Sequence, residues 1–297
     1  MNILIVGSNG FLGSHCAKHF RSEGHLVWTA ERTGGKQSHH FVLRPADANY
    51  QQLFERQDYD VCINASGSAS VSHSFEDPAD DFAANVVIVH RLLEAMRVCR
   101  SRCSFLNFSS AAVYGNPLKL PVRESARLSP VSPYGFHKLQ SEILLRQYHT
   151  LFGLRTCSLR IFSAYGPGLR KQLFWDVYQR CKKDRHLELH GTGKETRDFI
   201  FVDDLVKALD VILRNGKFQG EAVNIASGQE TTIQQAVETF FELLDVGLTY
   251  RFSGATKIGD PTNWRASICT ISQMGFAPST SLKDGLVQYT QWLNHRQ

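Results

Sequence analysis

The sequence predicts an α/β protein, a parallel sheet wound with helices on both faces and joined to a smaller lobe. Three observations predict it. Short apolar runs alternate with helical stretches from Asn2 to Phe162. The first run, Asn2-Ile3-Leu4-Ile5-Val6, shows no polar alternation after Asn2, which is how a strand buried on both faces reads. Gly7-Ser8-Asn9-Gly10-Phe11-Leu12-Gly13 follows at once, placing three glycines where the strand ends and a helix should begin. Gly7 permits the tight turn, Gly10 lets backbone approach a pyrophosphate, and Gly13 lets the helix pack against the sheet. The N–H groups at the positive helix end suit a phosphate.

The bulk numbers bound the rest. A chain of 297 residues can bury a full core, and 42% hydrophobic with 21% charged residues is ordinary for a globular protein. The net charge of +5 is scattered, which weakly suits an anionic ligand and is too small to imply nucleic acid. Seven cysteines in no paired zinc spacing predict reduced thiols in a cytoplasmic protein. A strand starting at residue 2 is expected to leave no room for a signal peptide, and no apolar run reaches membrane-spanning length.

The elements follow in order. Ser14 to Arg21 reads as the first helix, with Cys16, Ala17 and Phe20 inward. Leu26 to Ala30 is the second strand, closed by Glu31 and Arg32. An acidic residue there accepts hydrogen bonds from an adenosine ribose, so Glu31 favours NAD, whereas Arg32 and Lys36 would suit the 2′-phosphate of NADP. Phe41 to Leu43 is a third strand, followed by Asp47, a further candidate for the cofactor. After a short helix from Gln51, the strand Asp60 to Ala65 ends in the small residues Ser66, Gly67, Ser68, Ala69 and Ser70. Small residues at that edge suit a cofactor lying across it. Phe82, Val86, Val89, Leu93 and Met96 repeat at helical spacing and predict one long helix with an apolar stripe. Cys103 to Phe108 is the next strand. A Pro-rich loop from Asn116 leads to a helix over Tyr134 to Phe152, then to the strand Thr156 to Phe162. Ser163 to Gly168 reads as a turn. Beyond it come a helix from Gln172, a short run Leu187-Glu188-Leu189, and a helix Leu205 to Leu213 that Asp203 or Asp204 would cap. A strand over Ala222 to Ala226 and helices Ile233 to Leu244 and Asp284 to Leu293 complete the chain.

Chemistry is concentrated in three residues. Tyr134 and Lys138 lie four apart at a helix start, on one face about a turn apart. The ammonium, with an oxidised nicotinamide, would favour the phenolate of a tyrosine whose ordinary pKa is about 10. Such a tyrosine can take a proton from a substrate hydroxyl or return one to a ketone. Ser110, at the end of an inner strand, could donate to the same oxygen. Weaker candidates are Ser70 and His73 on the loop after the fourth strand, and Arg170 and Gln172 after the turn. His39-His40 has no third ligand at metal spacing, so no metal is expected.

In this order the chain resembles the extended short-chain dehydrogenase/reductase family, in its nucleotide-sugar epimerase/dehydratase branch. Gly7, Gly10 and Gly13 match its cofactor glycines, and Ser110, Tyr134 and Lys138 its catalytic residues. Tyr165-Gly166-Pro167-Gly168 matches the turn ahead of its substrate lobe. Arg197 to Asp204 matches a motif whose Arg contacts the nucleotide diphosphate. The resemblance implies a Rossmann-type doubly wound sheet over 1–168 and 199–227, binding NAD or alternatively NADP. Gly7, Asn9, Gly10, Phe11, Leu12, Gly13, Glu31, Arg32, Asp47, Ala65, Ser66, Gly67, Tyr134 and Lys138 would hold the cofactor. It also implies a C-terminal lobe, 169–198 and 228–297, for a nucleotide-diphosphate sugar. Ser70, His73, Ser110, Ser163, Arg170, Gln172 and Arg197 are the candidates to touch that substrate. A homodimer through a four-helix bundle of the helices Phe82–Arg100 and Tyr134–Phe152 is implied as well.

Departures from the family pattern narrow the reaction. Family dehydratases carry Asp-Glu directly after the catalytic Ser or Thr. Ala111 and Ala112 stand here, and they cannot transfer protons. Decarboxylases of the family usually keep a Glu at the Ala112 position. Ser163 replaces a common Asn at the substrate phosphate, and Ser267 a common Asp. Two reactions then need only Ser, Tyr, Lys and cofactor: 4-epimerisation of a nucleotide-activated hexose, and reduction of a 4-keto-6-deoxy sugar. A non-catalytic NAD(P)-binding sensor or scaffold is a third reading, opposed by the presence of both Tyr134 and Lys138.

Overall fold

The computed structural model describes the chain except residues 35–38, 44–48, 246, 248, 256–258, 260 and 296–297. The expected cofactor contact Asp47, and Lys36, lie outside the described residues. Strand β1 (Asn2–Val6) runs into helix α1 (Phe11–Ser22), followed by β2 (Leu26–Glu31), β3 (His40–Val42), α2 (Gln51–Glu55) and β4 (Val61–Asn64). Then come α3 (Val71–Glu76), α4 (Pro78–Phe82), a π-helical turn over Ala83–Val87 and α5 (Ile88–Val98). β5 (Ser104–Ser110), a 3-10 turn over Ala111–Tyr114, α6 (Pro133–Phe152), β6 (Thr156–Ile161) and β7 (Ser163–Tyr165) follow. The remainder is α7 (Gln172–Cys181), β8 (His186–Leu189), β9 (Thr196–Arg197), β10 (Phe199–Phe201), α8 (Val202–Asn215) and β11 (Gln219–Ile225). It closes with β12 (Thr231–Thr232), α9 (Ile233–Leu244), β13 (Thr249–Phe252), α10 (Cys269–Gln273) and α11 (Leu282–Asn294).

Seven strands make one parallel sheet in the order β3-β2-β1-β4-β5-β6-β11. Its strand order reverses between β1 and β4, so the crevice beyond their carboxyl ends is where such a sheet binds ligands. The apolar β1 run is explained by its two buried faces. Ile3 and Ile5 join Cys16, Phe20, Leu205 and Leu209 on one face, and Leu4 and Val6 join Leu53, Leu92, Leu93 and Phe105 on the other. A further core, with Phe174, Val177, Leu187, Phe240, Leu286 and Tyr289, gathers α7, β8, α9 and α11; it also takes in Tyr165, Phe201 and Val202.

Several elements differ from the sequence expectation. Ser163 to Tyr165 is a strand rather than part of a turn, because it pairs in parallel register with Phe199–Phe201. The turn itself is confined to the residues after it, with Gly166 and Gly168 at positive φ. β13 pairs with β8 and had no signal of its own. The single long helix expected from the Phe82 stripe is interrupted by the π-helical turn, and Phe82 is 40% exposed instead of buried. Neither Asp203 nor Asp204 caps α8: Phe201 is the extended N-cap residue, and no side chain bonds there. Both acids instead occupy the first turn, where they still favour the helix dipole. Asp204 is buried and accepts from the N–H groups of Ser279 and Thr280, while Asp203 faces His15. All seven cysteines are free. No helix among the described residues is long and apolar enough to cross a membrane.

Candidate active site

The glycine loop sits at the β1 end of the crevice. Gly7 has φ of +86°, and a Cβ there would come within 2.5 Å of the Ser66 backbone nitrogen. Glycine therefore brings the loop after β4, with Ala65 and Ser66, directly against the loop after β1. A Cβ on Gly13 would lie 2.1 Å from the Gly7 carbonyl oxygen, so the start of α1 packs on the strand end. Gly10 is different. A Cβ there would meet only the Gly7 oxygen, at 3.3 Å, so its outer side is open. Gly10 is also the N-cap of α1, and no side chain caps that helix. The N–H groups of Phe11, Leu12 and Gly13 lead that uncapped end, beside backbone stripped of side chains. This cradle fits a pyrophosphate. Phe11 and Leu12 pack against the core around Phe174 and Tyr289, and Leu12 also against the core around Ile3 and Phe20.

Glu31 closes β2, and its carboxylate accepts hydrogen bonds from the Asn9 N–H and, at 3.3 Å, from the Ser8 hydroxyl. It thus stands beside the glycine loop, where a ribose would lie next to the pyrophosphate. Arg32 is exposed. On the β4 side the Ser66 hydroxyl donates to Asn64 at 2.5 Å, and Gly67 has φ of +113°. A Cβ on Gly67 would come 2.6 Å from the side-chain oxygen of Asn85, which is buried and has no hydrogen-bond partner. Asn85 went unnoticed in the sequence. Its signal was a polar residue inside an apolar helical stripe, at the π-helical turn.

Ser110, Tyr134 and Lys138 are brought together by two short backbone devices. Ser110 is the last residue of β5, and its Oγ accepts from the Ala112 N–H at 3.1 Å, which starts the 3-10 turn. Ser132 caps α6 by accepting the Gly135 N–H at 3.2 Å, with Pro133 as the first helical residue. A Cβ on Gly135 would stand 2.7 Å from the Ala112 carbonyl oxygen. Glycine there seats the first turn of α6 on the 3-10 turn and brings the Tyr134 hydroxyl beside that of Ser110. One helical turn on, the Lys138 ammonium is buried, donates to the Phe108 carbonyl at 2.8 Å and lies 5.8 Å from the centre of the Tyr134 ring. A polar chain runs beneath: Asn64 donates to Asn107 at 2.8 Å, Asn107 to Ser141 at 3.2 Å, and Ser141 to the Lys138 carbonyl at 2.7 Å. It joins the cofactor side of the crevice to the reactive turn.

The sequence reading has Lys138 and an oxidised nicotinamide together favouring the Tyr134 phenolate. In the protein alone burial wins and pushes Tyr134 up to about 12, with the Ser110 hydrogen bond opposing it and Asp81 adding to it. Burial also brings the Lys138 ammonium down to about 8, against the pull of Asp81 and with the help of Lys171.

The substrate candidates are spread around this centre. Ser163 opens β7, on the strand that prolongs β6. Arg197 donates to the Thr196 carbonyl at 2.8 Å and lies 5.6 Å over the Trp264 ring. Asp198 beside it is buried and accepts from Ser227, Gly228 and Ala266, which anchors that segment. Gln172 starts α7 at a strained φ of +68°, a conformation that tends to occur at functional sites. Arg170 is exposed and lines an outer groove with Trp175, Tyr178, Lys182 and Trp292. Ser70 caps α3, accepting the His73 N–H at 3.2 Å. The His73 ring is turned to Asp80, 3.1 Å away, and that contact holds its pKa up.

The sequence profile of the NAD dependent epimerase/dehydratase family matches residues 3–226. An uncharacterised UDP-glucose epimerase of Bacillus subtilis is 29% identical over 317 residues, spanning 99% of this chain and 98% of that protein. A UDP-glucose 4-epimerase of Mycolicibacterium smegmatis is 26% identical over 315 residues, spanning 100% and 99%. Among solved structures, UDP-glucuronic acid 4-epimerase from Bacillus cereus, in complex with UDP-glucuronic acid and NAD, superposes with a TM-score of 0.90. It shares 25% identity, with 100% of both chains covered. The glycine cradle, the joined serine, tyrosine and lysine, and this match over most of its length place the chain in the NAD-dependent epimerase/dehydratase family.

Proposed function

We propose that the protein is a nucleotide-sugar 4-epimerase that uses NAD and acts on a UDP-activated hexose or hexuronate. The observation that carries this reading is the Tyr134 hydroxyl beside Ser110 with the buried Lys138 ammonium behind the ring, at the carboxyl edge of the sheet. When bound, NAD supplies hydride acceptance and return at the sugar C4. Tyr134 takes the proton from the 4-hydroxyl and later gives one back. Ser110 donates to the same oxygen and holds it in place. Lys138 favours the phenolate by its charge. Ala111 and Ala112 are buried in the 3-10 turn beside Ser110 and offer no acid or base for removing water. That favours epimerisation over dehydration. Arg197 is assigned to the substrate diphosphate. The sugar nucleotide is drawn from the relatives, which are named for UDP-glucose and UDP-glucuronic acid. Incubation with UDP-, GDP-, CDP- and dTDP-sugars, following products and NAD(P)H absorbance together, tests the proposal. A 4-epimer formed without net cofactor turnover supports it; net consumption of NAD(P)H identifies a reductase.

Glu31→Ala is expected to weaken NAD more than NADP, since it removes a ribose acceptor and relieves repulsion of a 2′-phosphate. Dissociation constants for both cofactors check this, and an unchanged preference overturns the role given to Glu31.

A homodimer is also proposed, through the outer faces of α5 and α6. Of the leucines expected there, Leu145 serves the protein's own core, whereas Leu151 is 64% exposed together with Phe136 and Ile143 on α6. An exposed apolar strip on a long helix is the kind of surface that a second copy covers. Light scattering at micromolar concentration should give twice the 33.5 kDa chain mass; a monomer refutes it.

A further inference from the structure

A buried hydrogen-bonded pair stands directly behind the reactive turn of α6. Asp81 on α4 is fully buried, and its Oδ2 lies 2.6 Å from Nδ1 of His137. Its other oxygen accepts from the Asn85 side chain at 3.1 Å. His137 follows Tyr134 by three residues and precedes Lys138 by one, so the pair grips the turn that carries both. The Phe82 ring meets the His137 ring edge-on, 5.4 Å between centres, and closes the contact. Residues 81 and 137 come from separate elements that the fold must bring together, and a carboxylate so far from water needs its partners.

We propose that Asp81 and His137 are positioning residues: they fix the Tyr134–Lys138 turn against α4 and place one negative charge behind both groups. The proposal rests on the acid–base role given to Tyr134. Lys138 is faced by Asp81 from α4, by Glu142 from its own helix and by Lys171 from the start of α7. Glu142 is committed to Arg160. Tyr134 is faced by Ser110 and Asp81. Among the described residues, Asp81 is the acid whose field acts on both reactive groups. Its charge favours the protonated form of each, phenol and ammonium alike.

The sign of the test follows. Asp81→Asn keeps the size and removes the charge, so both ionisations should move to lower pH together, by about one unit. The pH profile of kcat/KM, with UDP-glucose and with UDP-glucuronate, should shift its acid and basic limbs in the same direction. Tyrosinate absorbance of the NAD-loaded enzyme, taken as the difference from Tyr134→Phe, should show the tyrosine shift without turnover. His137→Ala should lower kcat about ten-fold, the cost of losing one well-placed hydrogen bond on a catalytic turn. His137→Gln, which can still donate to Asp81, should recover most of it. Unmoved limbs in Asp81→Asn, or a His137→Gln enzyme as slow as His137→Ala, overturn the proposal. Should Tyr134→Phe itself remain active, the acid–base assignment fails first. Loss of activity in Tyr134→Phe with unmoved limbs in Asp81→Asn fails the pair alone.

Discussion

Tyr134→Phe is expected to cut turnover by roughly two to four orders of magnitude, the usual worth of a positioned acid–base group. The substitution keeps the ring, which belongs to a buried cluster with Ala111, Ala112, Val113 and Trp264, and removes only the hydroxyl beside Ser110. Sugar-nucleotide affinity should change little, because Arg197 and the second lobe are assigned to the diphosphate. Lys138→Ala should also slow turnover, for a different reason. Its ammonium helps to stabilise the phenolate, so without it the ionisation of Tyr134 moves to higher pH. Lys138 is also assigned to the cofactor, so cofactor affinity should fall in this variant and hold in the tyrosine variant. The wild-type profile has its own sign. Burial brings the Lys138 ammonium down to about 8, so its charge should be present below that pH and lost above it, and kcat/KM should decline on the basic side. That limb should vanish in Lys138→Ala. Kinetic constants and cofactor affinity over a pH series decide the matter. A Tyr134→Phe enzyme retaining most of its activity would show that the acid–base group lies elsewhere.

The parts of this site that could be read from the sequence are local ones. Gly7, Gly10 and Gly13 occupy seven consecutive residues, and Tyr134 and Lys138 one helical turn, so spacing alone carried their geometry. The apolar β1 run was equally legible, since a strand covered on both faces has no polar period to obscure. What escaped depended on partners distant in sequence. Asp81 meets His137 across 56 residues, and the short strands β7 and β13 acquire their state from β10 and β8. Asp204 looked like a cap because caps are local, yet its partners Ser279 and Thr280 lie more than 70 residues on. The charge state of Tyr134 escaped for the same reason. A lysine four residues away is visible in the sequence, but the burial that outweighs it is made by other elements.

The buried pair beneath the site leads to the second large effect, on stability. Arg160 on β6 is only 2% exposed, and its guanidinium bonds both oxygens of Glu142, with distances of 2.7 to 3.2 Å. It also donates to the Tyr114 hydroxyl at 2.8 Å and the Glu124 carbonyl at 2.9 Å. Ser109, next to Ser110, donates to Glu142 at 2.5 Å. Burial alone would lower the guanidinium pKa, but the bonds to Glu142 reverse this and raise it. A guanidinium ordinarily titrates so far above neutrality that burial leaves it charged even when its partner is lost. Glu142→Gln should leave a buried cation uncompensated and cost about 3–5 kcal/mol of folding free energy. Against a usual total of about 5–15 kcal/mol, that is a large share. Activity should fall as well, because Glu142 is one turn from Lys138 and bonded to the neighbour of Ser110. Replacing both partners by apolar residues, Glu142→Leu with Arg160→Met, should recover much of the stability, since no buried charge is then left. Urea denaturation of the single and double variants separates the outcomes. A Glu142→Gln protein as stable as the wild type would show that the pair contributes nothing net, and a double variant no better than the single would locate the loss in packing instead of charge.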